Sequence, residues 1–220
     1  MNNVVVNSDE VFVVGGGSSL ANFNFNLLRN KETIVVNKAI LDVPKPKNFV
    51  TVDYTFIRKV GRNWLASQPV SKFFVVDMAH SFMKKINNRY VDTRMNLVYE
   101  NLDIFDIVIE SHKQEGIGYR FNDFRTGVNS GYCALQLAVV LGYKRIYLMG
   151  FDLCSGSTTH YHRGYGESKE KFNKKLSTYL KYFILGLKQI QLRSNIEVFS
   201  CSKMSGLNSV IPYVDVNCLL

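Results

Sequence analysis

This sequence has little of what usually assigns a chain quickly. Its four cysteines, Cys133, Cys154, Cys201 and Cys218, are scattered with no C-x-x-C pair. That argues against a disulfide frame or a zinc site and for reduced thiols in a cytoplasmic protein. No apolar run approaches the ~18 residues that span a bilayer. The opening Met1-Asn2-Asn3-Val4-Val5-Val6 lacks the basic-then-apolar order of a signal peptide. There is no G-x-x-x-x-G-K-[ST], which excludes a P-loop NTPase, and no G-x-S-x-G, which leaves serine hydrolase chemistry unsupported. Helix-turn-helix, zinc-finger and RNP signatures are missing too, so any nucleic acid would be met as a substrate and not read as an operator. Internal repeats and low-complexity segments are also absent.

What is present is a foldable chain with an excess of positive charge. At 220 residues, 46% hydrophobic and 13% aromatic, it can bury a core and is expected to form one domain over residues 1–220. Lys and Arg number 27 against 18 Asp and Glu, a net charge of +9, which favours an anionic partner. From Lys169 to Arg193 there are seven basic residues and one acid, so this stretch carries +6 of the +9. Phe172, Leu176, Leu180, Phe183, Leu187 and Ile190 recur there at spacings of three and four, the pattern of an amphipathic helix. Its other face, with Lys171, Lys174, Lys175, Lys181 and Lys188, reads either as a solvated surface or as a guide for a polyanionic acceptor. The wealth of Asn and Lys suits an AT-rich genome such as a phage's.

Short continuous apolar runs mark strands at Glu10–Val14, Thr33–Val36, Phe49–Val52, Phe73–Val76, Ile104–Ile109, Arg145–Met149 and Ile196–Phe199. An apolar helix is expected over Tyr132–Leu141 with Gly142 closing it. Val43-Pro44-Lys45-Pro46-Lys47 is a loop. The stretch from His80 to Asn122 holds an insertion or lid, and residues 155–168 are expected to form a mobile lid loop. Strands without alternation, interleaved with helices, predict an α/β fold whose parallel sheet is covered on both faces.

Ligands of such a sheet sit outside the carboxyl ends of its strands, so the polar residues there are the candidates. Gly15-Gly16-Gly17-Ser18-Ser19 offers backbone N–H groups and a helix start to a phosphate. Leu20 stands where a dinucleotide fingerprint needs its third glycine, and Asn37 where it needs an acid, which counts against NAD or FAD. Asp53, Asp77 and Asp152 end three strands. Asn129-Ser130-Gly131 opens the apolar helix and reads either as an N-cap or as a second cradle for a base, ribose or phosphate. Between Asp152 and the basic helix lie His160, Tyr161, His162, Arg163 and Tyr165, where a histidine could take a proton from a hydroxyl and Arg163 could pair with phosphate. Two histidines without a third ligand make a poor metal site, so none is expected. Cys133 and Cys154 read as core thiols.

Together these segments resemble glycosyltransferase family 42, the bacterial sialyltransferases, and the wider Rossmann-like group that includes motility accessory factors and pterin pyrophosphokinases. Gly15 to Leu20 resembles the family's G-x-G-P-S-L loop, with Ser18 in place of proline. Val36-Asn37 resembles its nucleotide-contacting strand end. Asn129-Ser130-Gly131, followed by Gly142 through Asp152, resembles its Ser-Gly helix and L-G-Y-K-x-I-Y-L-x-G strand, and His160-Tyr161 its His-Tyr pair. The resemblance implies a Rossmann-like, GT-A-like domain that transfers a sugar from a CMP- or UDP-linked donor, with inversion and without a metal or other cofactor. Gly15, Gly17, Ser18, Asn37, Asp53, Asn129, Ser130, Gly131 and Asp152 would hold the nucleotide. His160 would be the base and Tyr161 would stand near the leaving phosphate. Arg163, Tyr165, Lys174 and Lys175 would face an anionic acceptor, either a glycan or modified DNA. Two other readings stay open. One is a Mg²⁺-dependent phosphotransferase, which needs Asp53, Asp77 and Asp152 to converge; the other is a non-catalytic nucleic-acid-binding module.

Overall fold

The computed structural model describes residues 8–154, 160–162 and 169–220. The first strand, β1 (Glu10–Val14), is Glu-Val-Phe-Val-Val with its four apolar residues buried. It pairs in parallel with β2 (Thr33–Val36), Phe12 opposite Thr33 and Val14 opposite Val35. Next to β2 comes β3 (Asn48–Thr51), followed by two short helices, α1 (Tyr54–Val60) and α2 (Arg62–Ser67). β4 (Ser71–Asp77) pairs with β3 and leads into three short antiparallel strands, β5 (Met83–Ile86), β6 (Arg89–Asp92) and β7 (Leu97–Tyr99). The chain then returns to the main sheet as β8 (Ile107–Ser111) beside β4. A long apolar helix, α3 (Ser130–Leu141), leads to β9 (Arg145–Met149), and the basic helix α4 (Lys169–Arg193) to β10 (Glu197–Ser200).

The seven long-range strands form one parallel sheet in the order β10-β9-β1-β2-β3-β4-β8. The chain lays down β1 to β8 in one direction, then jumps back to add β9 on the far side of β1. Both sides of this sheet are apolar, as continuous hydrophobic strands require. Val11, Val13, Ile34, Val50, Phe73 and Val75 face α3 and α4. Phe12, Val14, Val35, Phe49, Phe74 and Val76 face α1, α2, several 3₁₀ turns and the small sheet. Helices therefore cover both faces, and the small sheet completes the second.

Helix α3 is apolar nearly all round because it is enclosed between sheet and α4: Tyr132 to Ala138 are fully buried. Two of its buried polar side chains, Tyr132 and Gln136, are satisfied by one loop. The Tyr132 hydroxyl donates to the Gly116 carbonyl at 2.5 Å, and Gln136 bonds both the N–H and the carbonyl of Gly118. Burial pushes the Tyr132 hydroxyl well above the usual tyrosine range. Asn129 caps the helix through a bond from the Tyr132 N–H, and Gly142, at φ 90°, closes it in the left-handed conformation.

Several boundaries differ from the sequence reading. The strand expected at Ile104–Ile109 is Ile107–Ser111, because Leu102–Ile104 closes a 3₁₀ turn. The expected strands at Phe49–Val52 and Ile196–Phe199 are shifted by one residue, to Asn48–Thr51 and Glu197–Ser200, and α3 starts two residues early. The insertion expected between His80 and Asn122 is the three-stranded sheet. Its first hairpin turns at Asn87-Asn88, both at positive φ, the conformation a two-residue hairpin loop needs. Residues 155–159 and 163–168 of the expected lid loop lie outside the described residues. The four cysteines are free thiols, Cys133 buried and Cys218 exposed. No helix among the described residues is long and apolar enough to cross a membrane.

Leu135→Ala, in the centre of α3, is expected to lower the unfolding free energy by about 2–5 kcal/mol. Leu192→Ala, at a side chain 84% exposed near the end of α4, should change it by less than about 0.5 kcal/mol. Urea denaturation of the two variants checks both.

Candidate functional site

The reversal of strand order between β1 and β9, which are parallel neighbours, opens a crevice at the carboxyl edge of the sheet. The loops leaving these two strands touch there. The Gly15 and Gly17 N–H groups donate to the carbonyls of Met149 and Gly150 at 2.8 Å. A Cβ on Gly17 would stand 2.6 Å from the Gly150 carbonyl oxygen and 2.7 Å from Asp152 Oδ2, so no side chain fits. Asp152, buried, ties the loops together: its carboxylate accepts the Ser19 N–H at 3.0 Å, the Ser18 hydroxyl at 3.1 Å and the Ser19 hydroxyl at 2.6 Å.

This contact narrows what the glycine loop can offer a phosphate. The N–H groups of Gly15, Gly17 and Ser19 are already used within the protein, which among the described residues leaves those of Gly16 and Ser18. A second supply of donors is the start of α3. The first N–H groups of a helix have no intrahelical acceptor; that of Tyr132 is taken by Asn129 Oδ1, while Ser130 and Gly131 border the crevice. The Ser130 hydroxyl accepts the Val52 N–H at 3.1 Å and so pins the helix start to the end of β3. The backbone is strained on both sides of the opening: Val128 and Leu153 hold φ values of 54° and 46°, costly for residues with a Cβ and frequent at functional sites.

Helix α4 supplies the far wall. Its 25 residues extend roughly 37 Å at 1.5 Å per residue, well beyond a five-residue strand of about 17 Å. Phe183, Leu187 and Ile190 dock on the core, and the N-terminal half overhangs the sheet edge. The result is a cavity of about 450 Å³ lined by the glycine loop, Asn37, Asp53, the start of α3, Asp152, His160, and Phe172, Lys175 and Tyr179 of α4.

All nine expected nucleotide residues border this one cavity, with His160 and Lys175. Their side chains are not equally available. Asp53 caps α1, its Oδ1 accepting the N–H groups of Thr55 and Phe56 and the Thr55 hydroxyl. Asn37 accepts the Thr51 hydroxyl at 2.7 Å, which in turn accepts the Asp53 N–H at 2.9 Å. His160 stacks on His162 at 5.0 Å and tilts against Phe172, also at 5.0 Å.

Tyr161 is turned elsewhere: its hydroxyl donates to Asp42 at 2.7 Å and its ring packs against Phe25. It does not line the cavity, and its backbone N–H binds the Gly16 carbonyl at 3.1 Å, tying the His160 segment to the glycine loop. Lys174 borders a neighbouring cavity instead, and Arg163 and Tyr165 lie outside the described residues.

Cys154, expected in the core, lines the cavity half-buried; burial and then the Asp152 charge raise its thiol pKa. Asp77 is held by Gln114 and Thr126 in the neighbouring cavity. The three carboxylates needed for a Mg²⁺ site therefore do not converge. Lys59, Thr55 and Tyr179 also line the cavity and were missed from sequence. The first two sit on α1, whose only visible signal was Asp53 followed by Tyr54 and Thr55, and Tyr179 is one polar residue in an apolar stripe.

No protein-family model matches the chain, and no curated protein matches it. Solved structures do. The monofunctional α-2,3-sialyltransferase Cst-I from Campylobacter jejuni is 14% identical with a TM-score of 0.54, over 97% of this chain and 83% of that one. The sialyltransferase CstII from Campylobacter jejuni, in complex with the substrate analogue cytidine-5'-monophosphate, is 16% identical with a TM-score of 0.54, over 93% and 84%. The CST-II complex with a trisaccharide acceptor and CMP is 17% identical with a TM-score of 0.54, over 93% and 85%. At such identities the likeness is one of fold, and it extends along nearly the whole chain.

Gly17→Ala is expected to destabilise the chain by about 1–3 kcal/mol, since the new methyl group meets fixed backbone. Thermal melting of Gly17→Ala beside Gly61→Ala reads the difference, because a Cβ at Gly61 has open space around it and only its φ of 88° to contend with. Equal losses would mean that the loop contact is looser than described.

Proposed function

We propose that this chain is a glycosyltransferase that moves a sugar from a nucleotide sugar, CMP- or UDP-linked, to an acceptor hydroxyl by inverting displacement, with His160 as general base. The observation that carries the reading is that His160 and the first residues of α3, Ser130 and Gly131, border the same cavity. A volume of about 450 Å³ suits a small-molecule site. The likeness in fold to proteins solved with CMP makes CMP the first nucleotide to try.

In this reading the Ser130 and Gly131 N–H groups, at the positive end of α3, hold the donor phosphate. Asn37, with its Oδ1 fixed by Thr51, presents its carboxamide NH₂ to the nucleoside. Asp152 acts through the glycine loop, holding Ser18 and Ser19, and is a positioning residue. His160 takes the proton of the acceptor hydroxyl as its oxygen attacks the anomeric carbon. The bond from that carbon to the phosphate oxygen breaks, its electron pair leaves with the nucleotide, and configuration inverts. Lys175 offsets the negative charge that develops on the leaving phosphate. Tyr161 keeps the His160 segment in place through Asp42 and Phe25.

No three His, Cys, Asp or Glu side chains group as ligands among the described residues, and the phosphate donors in this reading are N–H groups and Lys175. The reaction in this reading runs without a metal. The acceptor in this reading is a glycan. Along the basic face of α4, Lys174 and Lys181 are faced by Glu170 and Glu115, which interrupts the uniform positive strip that a DNA backbone would favour.

CMP at a hundred times its Kd should stabilise the native chain by about 2.7 kcal/mol, seen as a rise in Tm. His160→Ala should lower turnover of a CMP-sugar by about 10²–10⁴-fold and leave CMP binding within twofold; full activity in that variant would remove His160 from the role. Transfer should persist in EDTA, and its loss would favour the Mg²⁺-dependent reading. CMP should also slow thiol labelling of Cys154 while leaving the exposed Cys218 unchanged, which mass spectrometry can follow.

A further inference from the structure

A third cavity, of about 570 Å³, lies between the turns that follow β1 and the segments that follow β10. One wall is Ser18 to Asn24 with Leu27; the other is Cys201 to Met204 with Tyr213 and Asp215 to Asn217. It meets the nucleotide cavity only at Ser18, which borders both. Neither His160 nor any residue of α3 or α4 lines it.

Both walls are held from behind. The Ser202 and Lys203 carbonyls accept from the Asn208 carboxamide at 3.0 Å, and the Ser200 hydroxyl bonds both the N–H and the carbonyl of Ser202. The Val214 N–H donates to the Ser200 carbonyl at 2.9 Å, and Asp215 Oδ1 accepts the Asn217 N–H at 3.0 Å. On the opposite wall the Ser18 and Ser19 hydroxyls are tied to Asp152, and Asn24 Oδ1 accepts the Asn26 N–H at 3.1 Å. A pocket built this way is formed before its ligand arrives.

The polar groups left over both donate and accept. Among the described residues the Asn22 carboxamide makes no hydrogen bond, and the Asn24 NH₂ and the Asn217 carboxamide oxygen have no partner. Ser202 is 1% exposed and its hydroxyl is unpartnered, a cost that a ligand hydroxyl at this wall would remove. Lys203 and Asp215 form no ion pair among the described residues, and their charges cancel across the opening. In a chain of net charge +9 this cavity is neutral, which does not select a phosphate. Its apolar surface is unusual too. Tyr213, 37% exposed, stands there with Met204 and Leu27, three of the eight large apolar side chains exposed among the described residues, and such a cluster marks a contact surface.

We propose that this third cavity is a carbohydrate-binding site, separate from the nucleotide cavity, that takes a neutral mono- or disaccharide. Each hydroxyl of a sugar is donor and acceptor at once, and a carboxamide offers both to a neighbouring pair of them; Asn22, Asn24 and Asn217 fill that role. The Tyr213 ring gives the C–H face of the pyranose a flat apolar surface while its hydroxyl stays in water. The site does not rest on the transferase reading, since it contains neither the base nor the phosphate donors of that reaction. With only Ser18 in common, the saccharide and the nucleotide occupy the chain together.

Lactose, maltose and cellobiose, with glucose and glucuronate as a pair matched but for charge, are titrated into the whole chain by ligand-observed NMR, with and without CMP. At least one disaccharide should bind with a Kd of about 1 mM or below, and glucuronate should bind no more tightly than glucose. Tyr213→Ala should weaken that disaccharide about tenfold and leave CMP affinity unchanged. Asn22→Ala is the second variant and should weaken it by a smaller factor. Asn22 is exposed and its side chain bonds nothing among the described residues, so a loss of binding there is not a loss of fold.

Failure of all three disaccharides to bind overturns the proposal. So does binding that survives both substitutions, displacement of the disaccharide by CMP, or a preference for glucuronate over glucose. Self-association that Tyr213→Ala abolishes, with no saccharide bound, would make this face a contact between copies of the chain and overturn the proposal as well. If CMP does not bind but Tyr213-dependent saccharide binding is present, the transferase reading falls and the carbohydrate site stands.

Discussion

The structure depends on one carboxylate. Asp152 ends the loop after β9, yet its oxygens are spent on the loop after β1, on the Ser19 N–H and the Ser18 and Ser19 hydroxyls. Two strand ends brought that close leave no room for a Cβ at Gly17, and little at Gly15, where one would stand 2.9 Å from the Gly150 carbonyl oxygen. The glycines are therefore explained first by the neighbouring backbone and only then by any ligand. Without this cross-link the crevice where the strand order reverses would have no fixed floor.

Two helices turn that floor into a site, each by a different means. Helix α3 is buried by its apolar surface and brings its N-terminal donors to the sheet edge, with the Ser130 hydroxyl fixing where the helix begins. Helix α4 is anchored by its second half and uses the first half as an overhanging wall. The whole of α4 carries +6 of the chain's +9, and about half of that lies on the overhanging wall. Part of it is answered by Glu115 and Glu170 on the outside, and Lys175 lines both the nucleotide cavity and its neighbour.

The central sheet was legible because a strand buried on both faces has to be a continuous apolar run, and β1, β2, β4 and β9 are such runs. The α3 helix was legible for the same reason, with Asn129 and Gly142 marking its ends. The small sheet was not: its strands are only three or four residues long, and β5 and β6 mix Lys and Arg with their apolar residues, so they are too short to show a hydrophobic period. Helices α1 and α2 escaped notice because Gly61 breaks the apolar period between them after seven residues.

Among site residues, those at strand ends could be placed by topology alone. Tyr161 could not, because its direction is set by Asp42 and Phe25, which are remote in sequence. The same holds for Asp152: its position at a strand end was readable, but its commitment to two serines 133 and 134 residues away was not.

The passage from β4 to β8 is made by a small antiparallel sheet where parallel neighbours are usually joined by a helix. Its ladders are internal, β5 to β6 and β6 to β7, and it touches the large sheet mainly through side chains such as Met83, Tyr90 and Tyr99. The segment can be lengthened, shortened or replaced without altering a strand pairing of the large sheet or the contact between Asp152 and the glycine loop. The wall that Arg94 gives the neighbouring cavity is thus built independently of the large sheet, while the edge that holds the nucleotide in the proposed reaction stays under the constraint of its own backbone.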